Sequence, residues 1–479
     1  MNEFSGYSAV ELAALVRAKD VSSRELVEAH IASLERVNPK LNAVVATRFD
    51  AARAEAEAAD RALAAGEATG PFHGVPCTIK EAFALEGMPN ASGLVARRDY
   101  RSPDDATTVR RIRDAGAIPL GVTNTSELCM WMESNNRLYG RTNNPYDPSR
   151  TVGGSSGGEG AMVGAGVSPF GLGSDVGGSI RMPAFFNGVF GHKPTGTLIP
   201  NSGQFPTTEG IALRYLTTGP LTRRAGDLWP LVQLLAGPDG LDTACSHAPL
   251  GDPRAVSLKG MKVLSVETNH IRKPSADLVD AQRRAARALE ARGAHVEVVE
   301  IPEFRHSIDY WSAMLGSSEG PGFAEMLGTP RFVDVAGQFA RYAVGRSPHT
   351  LPALMLAALE KPMGGGRKRA EQLIARGERF RDDLAARLGD NGVMLFPSHS
   401  LPAPRHGLPQ LRLIDWVYTA IFNVLEFPVT QVPLGLNAAG LPLGVQVVGN
   451  HFRDHVTVAV AQALEEDLGG WVPPAGLRA

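Results

Sequence analysis

Three short stretches hold the residue types that do covalent chemistry: "FHGVPCTIKEAF" (72–83), "TVGGSSGGEG" (151–160) and "GLGSDVGGSIRMPA" (171–184). The glycine-serine run at 151–160 admits three readings. A phosphate cradle needs Lys and then Ser or Thr after its last glycine, or glycines at the G-x-G-x-x-G offsets; the run has neither, and Glu159 would repel a phosphate. A nucleophile elbow is suggested by Gly153-Gly154-Ser155-Ser156-Gly157, with Asp175 and His192 following in the order serine, acid, histidine. That elbow must follow a buried strand, yet "TNNPYDPSRTV" precedes it, with two prolines and little apolar content. His192, in "FGHKPTG", is therefore expected to be a histidine hydrogen-bonded at a turn.

The third reading joins the run to a second segment. In Val176-Gly177-Gly178-Ser179 two glycines precede a serine, so successive backbone N–H groups can converge on one point and form an anion-binding nest. A serine ending such a nest can attack a carbonyl whose developing oxyanion those N–H groups receive, each donor being worth about 10²- to 10³-fold in rate. The hydroxyl still needs a base. No histidine is well placed, and Lys80 ends a short apolar run of strand character; lysines are ordinarily solvated, but burial lowers an amine's pKa by up to about 3 to 5 units. These residues suggest a relay in which Lys80 takes a proton from Ser155 and Ser155 takes one from Ser179. The glycines let Ser155 adopt a rare backbone conformation, including a cis Gly154–Ser155 peptide. Asp175 and Arg181 flank the second loop and can pair to hold it. This chemistry calls for no metal and no cofactor.

"GGSSGG" followed by "GSDVGGSIR", with "GVP" and Lys80 upstream, resembles the amidase signature family over about residues 8–475. The resemblance implies an α/β fold with a large mixed β-sheet sandwiched between helices, Ser179 as nucleophile, Ser155 as cis-serine relay and Lys80 as base. It also implies an oxyanion hole at Val176, Gly177, Gly178 and Ser179, and substrate contacts at Cys129, Met130 and Ser155. Within the family, "TNTSELCMWMESNNRLYGRTNNPYDP" and "RMPAFFNGVFGHKPTG" are most like the fatty acid amide hydrolases of the second type, with no N-terminal membrane anchor expected here. The implied activity is hydrolysis of fatty acid amides or other hydrophobic acyl or aryl amides, and some esters, through an acyl-enzyme. One alternative is the glutaminase component of a glutamyl-tRNA amidotransferase, working with partner subunits, from which "TLIPNSGQFPTTEG" (197–210) differs. Another is an amidase fold that has lost its chemistry and only binds, against which stands the presence of Lys80, Ser155 and Ser179.

The elements that must position these residues follow from periodicity. Ser22 and Glu25 form a capping box before an amphipathic helix; "DATTVRRIRDAGAIPLGVTN" reads as a helix stopped by Gly116 and a strand from Ala117 to Val122. "MKVLSVE", "DLVDAQRRAARALEARG" and "AHVEVVEI" read as strand, helix and strand, implying helices over a largely parallel sheet. "FPVTQVPLGLNAAGLPLGVQVVG" reads as two strands with a turn at Asn437–Gly440, followed by a helix. Residues 305–380 read as helices and loops covering the sheet and part of an apolar acyl tunnel, within a single domain spanning 1–479 whose catalytic core lies at about 70–230. Of 479 residues, 43% are hydrophobic, and 48 basic residues interspersed with 50 acidic ones leave a net charge of -2, so no nucleic-acid footprint exists. Three scattered cysteines give neither a disulfide framework nor a thiolate metal site. A cytoplasmic protein acting on a small-molecule amide is expected, with a homodimer suggested by family analogy.

Overall fold

The computed structural model describes residues 2–67, 69–317, 320–328, 333–363 and 367–477. Among the described residues, eleven strands form one sheet. In chain order the strands of the molecule are β1 (Val44–Thr47), β2 (Pro76–Lys80), β3 (Ile118–Thr123), the short pair β4 (Asn135–Asn136) and β5 (Gly140–Arg141), β6 (Phe170–Asp175), β7 (Phe190–Lys193), β8 (Thr217–Thr222), β9 (Lys262–Ser265), β10 (His295–Val298), β11 (Val393–Phe396), β12 (Val429–Leu436) and β13 (Pro442–Gly449). The large sheet runs β1-β3-β2-β6-β8-β7-β12-β13-β11-β9-β10, with β4 and β5 apart.

The local expectations hold at the helices with written caps. Glu25 N–H donates to Ser22 Oγ (3.1 Å) and Ser22 N–H to Glu25 Oε2 (2.9 Å), and the helix runs Ser23–Leu41. The helix Thr107–Asp114 ends before Gly116, at φ +88°, and β3 follows. β9 and β10 pair in parallel around the helix Ala276–Ala291, and β12 and β13 form the antiparallel hairpin. The expectation of a largely parallel sheet is corrected. Parallel pairs join β2 to β3 and β6, and β9 to β10 and β11, but the centre from β6 through β8, β7, β12 and β13 to β11 is antiparallel throughout. The physical reason is that a hairpin whose strands are both buried carries the same continuous apolar run as a parallel strand, so composition does not separate them.

Residues 305–380 supply helices at Ser307–Gly316, Phe323–Leu327, Val335–Ala343, Leu351–Met363 and Arg367–Leu388, and no strand among the described residues. The first of these packs on the helix Val417–Val424 and on Arg367–Leu388, with Phe304, Tyr310 and Phe380 in an aromatic cluster against Phe396 and Phe422.

Candidate active site

Strands β2 and β6 lie side by side in parallel, with Thr78 opposite Gly171, so their C-terminal ends open at the same edge of the sheet. Open α/β sheets place their ligand crevice beyond the carboxyl ends of parallel strands. Lys80 is the last residue of β2; Ser174 and Asp175 end β6 and the loop 176–179 follows. The Lys80 side chain is fully buried, and its Nζ donates to Ser155 Oγ at 2.7 Å and to Ser174 Oγ at 2.9 Å. Burial holds the amine below the ordinary lysine range, opposed by the neighbouring Cys129 thiol and by the Asp175 and Glu159 carboxylates.

Ser155 follows a cis Gly154–Ser155 peptide bond, and a Cβ on Gly154 would stand 2.0 Å from the Trp131 carbonyl oxygen. Only glycine allows that approach of two backbones. Ser134 clasps the run: its hydroxyl reaches the Gly153 and Ser155 carbonyls, both at 3.1 Å, and accepts the Gly157 N–H at 2.9 Å. Ser156 N–H donates to the Ser179 carbonyl at 3.2 Å, which ties the two serine segments together. Ser179 itself is partly exposed.

The loop after β6 is organised around Asp175. Its carboxylate accepts from the N–H groups of Gly178 (2.7 Å) and Ile180 (3.0 Å), from Asn423 (2.9 Å) and from both Nε and Nη2 of Arg181 (3.1 and 2.9 Å). Complete burial would raise its pKa, but the Arg181 charge above all, with hydrogen bonds from Arg181, Ile180 and Asn423, holds Asp175 far below the usual carboxylate range. Gly178 sits at φ +119°, and a Cβ there would lie 2.0 Å from Thr419 Oγ1. Of the four N–H groups expected to receive an oxyanion, that of Gly178 is therefore committed to Asp175. No hydrogen bond among the described residues uses those of Val176, Gly177 or Ser179.

Cys129 ends the tight turn Glu127–Cys129, with φ +58°, and its Sγ lies 3.4 Å from Thr125 Oγ1. Met130 is half-buried beside it. His192 lies within β7 rather than at a turn; it is buried, with Nδ1 2.9 Å from Thr430 Oγ1 and Nε2 3.1 Å from Asp454 Oδ1.

Several residues near this site were not read as part of it in the sequence. Ser174 shares Lys80 with Ser155; its one signal is a hydroxyl at the end of an apolar strand. Glu159 is fully buried and accepts from Thr78 Oγ1 on β2 and Thr123 Oγ1 on β3, both at 2.7 Å, and burial pushes its carboxyl up to about 7. Trp311 and Trp416 meet edge to face with centroids 4.7 Å apart, and the Trp416 ring comes within 3.2 Å of where a Gly177 Cβ would stand. Among the described residues no cluster of His, Cys, Asp and Glu could hold a metal ion, and no helix is long and apolar enough to cross a membrane.

Comparison with known proteins gives the family of the chain. The family model described as Amidase matches residues 25–458. The chain is 45% identical to fatty-acid amide hydrolase 2 of Homo sapiens, covering 98% of this chain and 90% of that protein. It is 34% identical to a glutamyl-tRNA(Gln) amidotransferase subunit of Anaeromyxobacter sp. (strain K), covering 96% of each. Among solved structures, 6-aminohexanoate cyclic dimer hydrolase complexed with substrate superposes with a TM-score of 0.83 at 27% identity, over 98% of this chain and 99% of that one. The chain belongs to the amidase family and is a hydrolase acting on amide bonds.

Proposed function

We propose that this amidase cleaves hydrophobic acyl or aryl amides, fatty acid amides among them, through an acyl-enzyme on Ser179. The observation that carries the reading is the 2.7 Å bond from the buried Lys80 amine to Ser155, in a segment joined through Ser156 to Ser179. As Ser179 Oγ attacks the carbonyl carbon, its proton passes to Ser155 Oγ while the Ser155 proton passes to Lys80 Nζ. The oxyanion is received by the free N–H groups of Val176, Gly177 and Ser179. The Lys80 ammonium returns its proton through Ser155 to the leaving nitrogen, the C–N bond breaks, and the amine departs. Water then attacks the ester by the same relay, releasing the acid and restoring Ser179.

The likeness to fatty-acid amide hydrolase 2 and the Trp311–Trp416 wall beside Gly177 support an apolar acyl group. The likeness to an amidotransferase component raises glutamine as a second substrate. An indole wall offers no partner to glutamine's charged ends, and burying them unpaired is costly. The test is kcat/KM for amides sharing one leaving group, with the acyl chain lengthened one methylene at a time. The expected barrier falls by up to about 0.8 kcal/mol per CH₂ over many carbons. A flat series, with glutamine or short aryl amides turned over well, would replace the lipid-amide reading.

A further inference from the structure

We propose that Trp311 is a positioning residue for the oxyanion donors: its indole N–H clamps the Val176 carbonyl and thereby aims the Gly177 N–H at the reacting carbon's oxygen. The inference rests on the reading of Ser179 as nucleophile. Its basis is the geometry of the peptide unit. In a trans peptide the carbonyl of one residue and the N–H of the next point in opposite directions, so fixing one fixes the other. Gly154–Ser155 and Phe205–Pro206 are the cis bonds among the described residues, so the peptides from 175 to 179 are trans.

Each of these four peptides is held at its carbonyl. Asp175 O accepts from Asn423 Nδ2 at 2.9 Å and Thr217 Oγ1 at 3.1 Å, which directs the Val176 N–H. Gly177 O accepts from Thr419 Oγ1 at 2.7 Å, which directs the Gly178 N–H onto Asp175. Gly178 O accepts from Met182 N–H at 2.8 Å, which directs the Ser179 N–H. Those donors all stand on elements built into the sheet or packed across it. The remaining carbonyl, that of Val176, accepts from Trp311 Nε1 at 2.8 Å, and Trp311 lies on the helix Ser307–Gly316, in the segment that covers the sheet. Glycine at 177 has wide backbone freedom of its own, so without this bond the peptide between Val176 and Gly177 is free to rotate and turn its N–H away. The edge-to-face contact with Trp416 sets the indole's orientation. The covering helix therefore completes the site chemically as well as walling it.

Two substitutions remove the donor and keep the ring: Trp311→Phe, and Trp311 replaced by β-(3-benzothienyl)alanine, which has tryptophan's shape with sulfur in place of N–H. Fluorophosphonate labelling of the wild-type enzyme comes first: no label on Ser179 overturns the nucleophile reading and the clamp together. Given a labelled wild type, both variants are expected to lose about 10- to 100-fold in kcat with KM within about twofold. Binding of a trifluoromethyl ketone, which forms a tetrahedral oxyanion adduct, is expected to weaken by the same factor as kcat/KM. A structural role alone would lower the melting temperature without that parallel. If Trp311→Phe fails to fold, the benzothienyl protein decides. A loss in kcat smaller than about threefold in a folded variant overturns the clamp and leaves the nucleophile reading intact.

Discussion

What Lys80 can do depends on what surrounds its amine. Burial disfavours the ammonium, while the Cys129, Asp175 and Glu159 groups favour it, and burial is the larger effect. A base lysine works only when neutral, so kcat/KM should rise with pH along an acid limb whose midpoint lies below 10.5, the ordinary lysine value. Lys80→Ala should lower kcat/KM by about 10²- to 10⁴-fold at neutral pH, and a variant with full activity would end the relay mechanism. Glu159→Gln removes a carboxylate that raises the Lys80 pKa, so the acid limb should move to lower pH; an unmoved or higher midpoint in the pH–rate profile would separate Glu159 from the amine. Ser174 escaped the sequence reading because a strand-end hydroxyl is common. Only the parallel pairing of β2 with β6 brings it beside Lys80.

At the scale of the element, Asp175 folds back on the loop 176–179 and holds its Gly178 end and the following Ile180. Asp175→Asn leaves the fully buried Arg181 without its charge partner, which should cost about 3 to 5 kcal/mol, read as a lowered urea midpoint at unchanged slope. The native pairing also predicts acid sensitivity. Because the folded-state pKa of Asp175 is depressed, its contribution to stability is fully present above the ordinary value of 3.8 and drains away as pH falls below it. Gly178→Ala meets a second barrier, since φ +119° disfavours any side chain and Thr419 Oγ1 occupies the Cβ position. The Asp175–Arg181 pair was legible in the sequence because both residues flank one loop. The remaining Arg181 partners, Thr419 O at 2.7 Å, Asn423 Oδ1 at 2.7 Å and Gln446 Oε1 at 2.8 Å, come from far along the chain and were not.

Across the whole molecule, the helices of residues 305–380 are tied to the Glu127–Cys129 turn. Glu127, which opens the turn bearing Cys129, is buried and accepts from His349 Nδ1 at 2.8 Å and from Thr350 N–H and Oγ1 at 2.8 and 2.9 Å, at the start of the helix Leu351–Met363. Glu127→Ala should therefore loosen that helix before the sheet unfolds. Limited proteolysis is expected to cut within residues 307–363 at protease levels that spare the wild type, and equal protection of the two proteins would show that the latch is dispensable.

The sequence by itself determined the parts whose causes are local. The capping box started the helix Ser23–Leu41, Gly116 stopped the one before β3, and the turn at 437–440 set the β12–β13 hairpin. The spacing of serines and glycines also marked Ser155 and loop 176–179 as one candidate site, and the need for a base added Lys80 at the end of an apolar run. Strand direction, the sharing of Lys80 between two hydroxyls and the approach of Trp311 to Val176 were decided only in three dimensions. Each joins residues that no local rule relates. Hydrogen-bond partners and burial belong to the packed sheet and its helices, and periodicity along one strand or helix says which face is buried but not what meets it.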